Sequence, residues 1–233
     1  MSKMWPTLLS EPSGGLLLPL PAPTAGHGSP ADGLDRQWFL TINGFARHTG
    51  WLQPVMTAYA DYGIAIFAGL LLAGCWIARR DGAAEAMAKA LWAPLATLAA
   101  LAINQPIVHH IAEARPYSGL SHILVLAHRS NDFSFPSDHA VMAGAAAAGL
   151  VLTSRRLGLI AILAALVMAF ARVYIGAHYP QDVAAGLLLG ATFTLAGYAL
   201  QDPALTRIVA RLRLSPLRPL LIDSRGDNTP HVR

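Results

Sequence analysis

The sequence predicts an all-helical, polytopic membrane bundle, and three observations carry that prediction. Charged residues make up only 13% of the 233-residue chain, about half of the roughly 25% usual in soluble domains. Apolar residues reach 54%, and the mean hydropathy is +0.44. The apolar residues gather in long runs separated by short basic segments, the pattern of helices that cross a bilayer between positively charged cytoplasmic loops.

In chain order, residues 1–33 are rich in Pro, Gly and Ser, and Leu16, Leu17 and Leu18 are interrupted by Pro19, Pro21 and Pro23. Such a stretch reads as a disordered lead, because it lacks an unbroken apolar face to bury. The same prolines interrupt the apolar core that a cleaved signal would need. Residues 34–62 mix Trp38, Phe39, Phe45 and Trp51 with Asp35, Arg36, Arg47 and Asp61, which suits an interfacial amphipathic helix better than a span. Five apolar segments follow, near residues 63–77, 86–103, 140–153, 157–170 and 183–200, so the expectation is five or six transmembrane helices in a membrane domain covering 34–200. Residues 201–233 form a basic tail, with Arg207, Arg211, Arg213 and Arg218 suited to anionic headgroups.

A soluble bundle is disfavoured because residues 140–152 carry no charge on any side, whereas a soluble helix keeps one wet face. The formal charge of +4 and the pI near 9.6 do not point to nucleic acid. The arginines flank apolar segments (Arg79 and Arg80, Arg155 and Arg156) as positive-inside loops do. A single cysteine, Cys75, excludes a disulfide framework and a cysteine-based metal site. Placing the loops at 79–85 and 154–156 inside puts residues 104–139 and 171–182 together on the opposite side.

Those two outer segments hold most of the polar chemistry. The first runs from Asn104 and Gln105 through His109, His110 and Glu113 to Arg115 and Pro116, and ends in Phe135, Pro136, Ser137, Asp138 and His139. The second runs from Arg172 through His178 to Asp182. Ionisable groups at membrane helix ends are costly unless they face a polar cavity. Two arginine forks and a serine hydroxyl suit phosphate oxygens. Phosphoryl transfer also needs a nucleophile and a proton donor for the departing oxygen, and two histidines fit those roles. His178 and Asp182 share a face if the turn between them is helical, which lets the carboxylate orient the imidazole.

The ordered set Arg115-Pro116, Pro136-Ser137-Asp138-His139 and Arg172 through His178 to Asp182 resembles the three-part signature of the type 2 phosphatidic acid phosphatase superfamily. The resemblance implies that His178 forms a phosphohistidine, that Asp182 orients it, and that His139 protonates the leaving group. Arg115, Ser137 and Arg172 would hold the phosphate, joined by the backbone amide near Asp138. It implies a lipid phosphate or diphosphate substrate and no cofactor or metal. Two arginines beside His109, His110, His139, His178 and Asp182 also argue against a divalent cation there.

The chain departs from the usual pattern at Val108, where lysine is usual, at Asp138, where glycine is usual, and at Ala171, where serine is usual. Asp138 is similar to the bacitracin-resistance type of undecaprenyl-diphosphate phosphatase, so that substrate is the expectation. Phosphatidic acid, phosphatidylglycerol phosphate and other prenyl phosphates are the alternatives within the enzyme class. A lipid-phosphate binding or transport protein is the alternative outside it. His109 and His110 read as a solvated helix end, and His48, His122 and His128 as facing water or headgroups.

Overall fold

The computed structural model of the protein describes residues 30–216 and 218–222, and every regular element among them is a helix. The chain runs through α1 (Pro30–His48), α2 (Gln53–Tyr62), α3 (Ile64–Asp81), α4 (Ala84–Ile111) and the short α5 (Pro116–Gly119). It continues through α6 (Asp138–Thr153), α7 (Arg155–Tyr174), α8 (Pro180–Leu212) and the short α9 (Arg218–Leu221). Each of the five expected apolar segments falls on one helix, α3, α4, α6, α7 and α8 in turn. Residues 1–29 of the expected lead and 223–233 of the expected tail lie outside the described residues. α1 already begins at Pro30, and α8 runs on past residue 200 to Leu212.

The helical stretches long and apolar enough to cross a bilayer by themselves number fewer than the five or six transmembrane helices expected. Among the described residues three helical stretches can cross a bilayer by length and composition, beginning at Ala84, Arg155 and Pro180. A fourth span arises if α2 and α3, bent by 52° at Gly63, are taken together. Residues 53–62 therefore continue into an apolar helix rather than forming part of one interfacial helix with α1. α6 has only 16 residues, short of the roughly 20 that reach across the hydrocarbon. Every residue from Ala140 to Leu150 is buried, so α6 is a core helix sheathed by the others.

Small side chains make that sheath possible. α6 contributes Ala143, Ala146, Ala147 and Leu150 to a cluster with Phe67 of α3 and Ala161, Ala165 and Met168 of α7. A Cβ added at Gly144 would lie 2.9 Å from the Leu187 Cα, and one at Gly149 would lie 2.7 Å from the Ala93 Cα. Only glycine lets α6 approach α8 and α4 this closely. Such contacts favour association where lipid removes the hydrophobic drive between helices.

Short connections sort the helix ends to two sides. Gly82, at φ 77°, caps α3, and Ser154 alone separates α6 from α7. On that side Ala78, Met87, Val209 and Leu221 pack together, joining the end of α3, the start of α4, the end of α8 and α9. The opposite side gathers the end of α4, the start of α6, the end of α7 and the start of α8. The 112–137 connection covers it and is pinned in place. Asn43 exchanges two hydrogen bonds with the Leu124 backbone, at 2.7 and 2.9 Å, while the amides of Leu126 and Ala127 donate to the Ile175 carbonyl.

Candidate active site

The gathered helix ends enclose a cavity of about 500 Å³ whose wall includes Arg115, Asp138, His139, Arg172 and His178. Sequence separation is large, yet each residue arrives by a local rule. Asp138 and His139 open α6, Arg172 sits in the last turn of α7, and His178 lies in the tight connection before α8. Gly176 makes that connection possible: its φ is 80°, and a Cβ there would lie 2.6 Å from the Leu124 carbonyl oxygen. Pro180 starts α8, and Asp182 caps it by accepting the Tyr179 amide at 2.8 Å.

His178 is 2% exposed, and both ring nitrogens are engaged. Its Nδ1 is 2.9 Å from the Ser134 carbonyl oxygen. A carbonyl only accepts, so Nδ1 carries the proton and Nε2 keeps its lone pair. That lone pair faces Nη1 of Arg115 at 3.1 Å and Nη2 of Arg172 at 3.3 Å. Burial, then the charges of Arg172 and Arg115, hold the imidazole pKa well below its ordinary value. A neutral ring with an unprotonated nitrogen between two guanidinium forks is a nucleophile set where an oxyanion would bind.

Asp182 is fully buried and lies beside the histidine it was expected to orient. Its Oδ2 is 3.4 Å from His178 Nδ1, so the carbonyl of Ser134 is the nearer acceptor. The Ser134 hydroxyl donates to the same Oδ2. The carboxylate and Ser134 thus both lie against the Nδ1 side of the imidazole, and Ser134 is a residue to which the sequence assigned no role. Nothing marks Ser134 in the chain, since it lies 44 residues from His178 and outside the motif.

Ser137 is buried, with its backbone N–H donating to the Asp182 carbonyl at 3.1 Å. Its hydroxyl has no partner among the described residues. Arg115 is anchored through Nε to the Asp132 carbonyl at 3.0 Å and through Nη1 to that of Ala177 at 3.3 Å. Asp138 accepts from Asn104 at 2.7 Å and from Gln105 at 3.0 Å on one oxygen. An ionised carboxylate only accepts, so of Asp138 only the backbone N–H, in the first turn of α6, suits an anion.

His109 and His128 both line the cavity and are exposed to water there, which makes the wet end of α4 part of the wall. Val108, where lysine is usual, also lines it. Arg129 lies over the Tyr117 ring instead, 5.7 Å from its centroid. Asp61 of α2 reaches the same wall, unremarked in the sequence.

A bundle of apolar helices whose ends converge on a histidine and two arginines defines a membrane-embedded phosphatase. The chain belongs to the PAP2 superfamily, whose family model matches residues 89–205, and it is a PAP2 lipid phosphatase. Undecaprenyl-diphosphatase BcrC of Bacillus subtilis is 30% identical over 151 residues, covering 65% of this chain and 76% of that protein. The crystal structure of Aquifex aeolicus LpxE is similar, with a TM-score of 0.58 at 25% identity, over 71% of this chain and 95% of that one. The PAP2 type phosphatidylglycerolphosphate phosphatase of Bacillus subtilis has the same fold, with a TM-score of 0.55 at 21% identity, over 76% and 89% of the two chains.

Proposed function

We propose that this protein hydrolyses undecaprenyl diphosphate to undecaprenyl phosphate through a phosphohistidine on His178. The observation that carries the mechanism is the Nε2 lone pair of His178 held between Arg115 and Arg172. The likeness to an undecaprenyl-diphosphatase over 65% of the chain supports the substrate.

In the first half-reaction the terminal phosphoryl group enters between the two guanidinium forks. Arg115 and Arg172 take its equatorial oxygens, joined by the Ser137 hydroxyl and the amide at the start of α6. Nε2 attacks phosphorus, the bond to the bridging oxygen breaks, and His139 gives that oxygen a proton. Binding an anion beside His139 favours its protonated form. The proton on Nδ1 stays with Ser134 and Asp182, which stabilise the imidazole as it gains positive character. In the second half-reaction His139, now neutral, takes a proton from water as the water attacks phosphorus. The P–N bond breaks, inorganic phosphate leaves, and His178 is restored.

The cavity side of the bundle faces out of the bacterial inner membrane in this reading. Arg79, Arg80, Arg155 and Arg156 lie at the other ends of the helices, where the positive-inside rule puts cytoplasmic loops. Residues 34–200 form the catalytic domain, with the lead and tail outside it.

Purified protein in detergent with EDTA, given undecaprenyl diphosphate, phosphatidic acid and phosphatidylglycerol phosphate in parallel, tests the reading. The expected result is phosphate release fastest from undecaprenyl diphosphate, with acid-labile radiolabel trapped on the protein from a substrate carrying terminal ³²P. No release from any of the three removes the enzymatic reading. A faster rate on a glycerophospholipid removes only the substrate.

A further inference from the structure

The catalytic cavity is larger, and differently charged, than one phosphate requires. Its volume of about 500 Å³ lies in the range of pockets that take drug-sized ligands, whereas phosphate has five heavy atoms. Three carboxylates, Asp61, Asp132 and Asp138, line it against the two guanidinium groups of Arg115 and Arg172. With every imidazole neutral the wall therefore carries more negative than positive groups. An anionic headgroup needs further positive charge, and histidines are the remaining wall residues able to supply it.

Two of those histidines are already committed, His178 as nucleophile and His139 as proton donor. His109 and His128 are not. His109 lies on the turn of α4 that also presents Gln105 and Val108 to the cavity, at the i, i+3, i+4 spacing of one helix face. Its ring stands perpendicular to that of Phe133, with centroids 6.1 Å apart, a contact that does not use its nitrogens. His128 comes from the connection between α5 and α6. Neither has a hydrogen-bond partner among the described residues.

We propose that His109 and His128 form a second phosphate subsite, which holds the lipid-attached phosphate of a diphosphate while the terminal phosphate sits at His178. This rests on the phosphatase reading above and narrows its substrate class to diphosphates. The subsite favours cleavage at the terminal phosphorus, because the retained phosphate is the leaving group and its charge is neutralised as the bridging bond breaks.

Farnesyl diphosphate and farnesyl monophosphate share one lipid and differ by one phosphate, so the ratio of their kcat/KM values isolates the subsite. The wild type favours the diphosphate. His109→Ala and His128→Ala each lower the ratio by about tenfold, the loss expected for a hydrogen bond to a charged group, chiefly through KM for the diphosphate. His109→Gln, which keeps a donor without the charge, recovers part of it. Inorganic pyrophosphate inhibits the wild type more strongly than inorganic phosphate, and that difference shrinks in the double variant. A ratio that stays within twofold of wild type in both alanine variants overturns the subsite, whether both rates fall together or neither does. A wild type that hydrolyses neither probe, nor undecaprenyl diphosphate, fails the phosphatase reading instead.

Discussion

The middle of the bundle and its cavity end are built from the same helices but answer to opposite requirements. In the middle, α6 presents alanine and glycine to α3, α4, α7 and α8, and its residues 140–150 carry no charged, hydroxyl or amide side chain. One turn further on, the same helix opens with Asp138 and His139 on the cavity wall. The comparison teaches that the inert part positions the reactive part. Close approach through Gly144 and Gly149 brings four helix ends near enough for Arg115, His139, Arg172 and His178 to share one space.

The strongest way to break this comparison is at the cavity end. His178→Ala is expected to lower turnover on the order of 10⁴-fold or more, as loss of a nucleophile does, with the variant still extracted from membranes as a folded species. Phosphate release at high enzyme concentration measures it, and appreciable activity would place the nucleophile elsewhere. Arg172→Ala is expected to cost about 10²- to 10³-fold in kcat, in the range for removing a donor to a developing oxyanion. Ser134→Ala tests the residue the motif does not mark. It removes the hydroxyl held by Asp182, and kcat should fall about tenfold with KM little changed.

The pH profile sharpens the same side. Only the neutral imidazole attacks, and burial with two cationic neighbours makes His178 harder to protonate. Activity should therefore persist as pH falls through about 6.5, the ordinary histidine value, and the acid limb of kcat/KM should lie below it. Burial, then the charge of Arg172, lowers the His139 pKa to about 4 in the free enzyme, so its deprotonation limb belongs in kcat, where the bound anion raises it and the profile is a bell. An acid limb above pH 7 would contradict this neutral resting state.

The smallest effect on chemistry belongs to the middle. Gly149→Leu drives a side chain into Ala93 and is expected to destabilise the bundle by about 1–3 kcal/mol, read as a lower Tm in detergent. Activity per folded molecule should fall by less than in the cavity variants, because the wedge shifts the helix ends without removing a group from the cavity. A variant with normal Tm but slow turnover would show that the two regions are not separable in this way.

The five apolar segments were legible because helix cores in lipid need long uncharged runs, and each falls on a helix. The span count was less legible, since a run of apolar residues suits a lipid-facing helix and an enclosed one alike. Only packing shows that α6 is sheathed. Similarly, the amphipathic mixture of 34–62 did not reveal that Gln53–Tyr62 bends into α3. Motif spacing brought Arg115, His139, Arg172, His178 and Asp182 into view. The irregular 112–137 connection hid Ser134 and His128, whose positions depend on pinning contacts with Asn43 and Ile175 that no local pattern encodes. The Ser134 carbonyl, nearer to Nδ1 than Asp182 is, was hidden for the same reason.

α8 has 33 residues and so extends about 50 Å, well beyond a hydrocarbon core of about 30 Å. Its apolar stretch begins at Pro180, directly beside the nucleophile, and ends at Leu200. The surplus turns emerge at the far surface with Arg207, Arg211 and Arg213. The helix therefore works as a depth gauge. In the orientation proposed above, basic turns held at one surface would fix how far the other end, which carries His178, can sink. A lipid reacting there keeps its hydrocarbon in the bilayer throughout, and the enzyme does not have to lift it out.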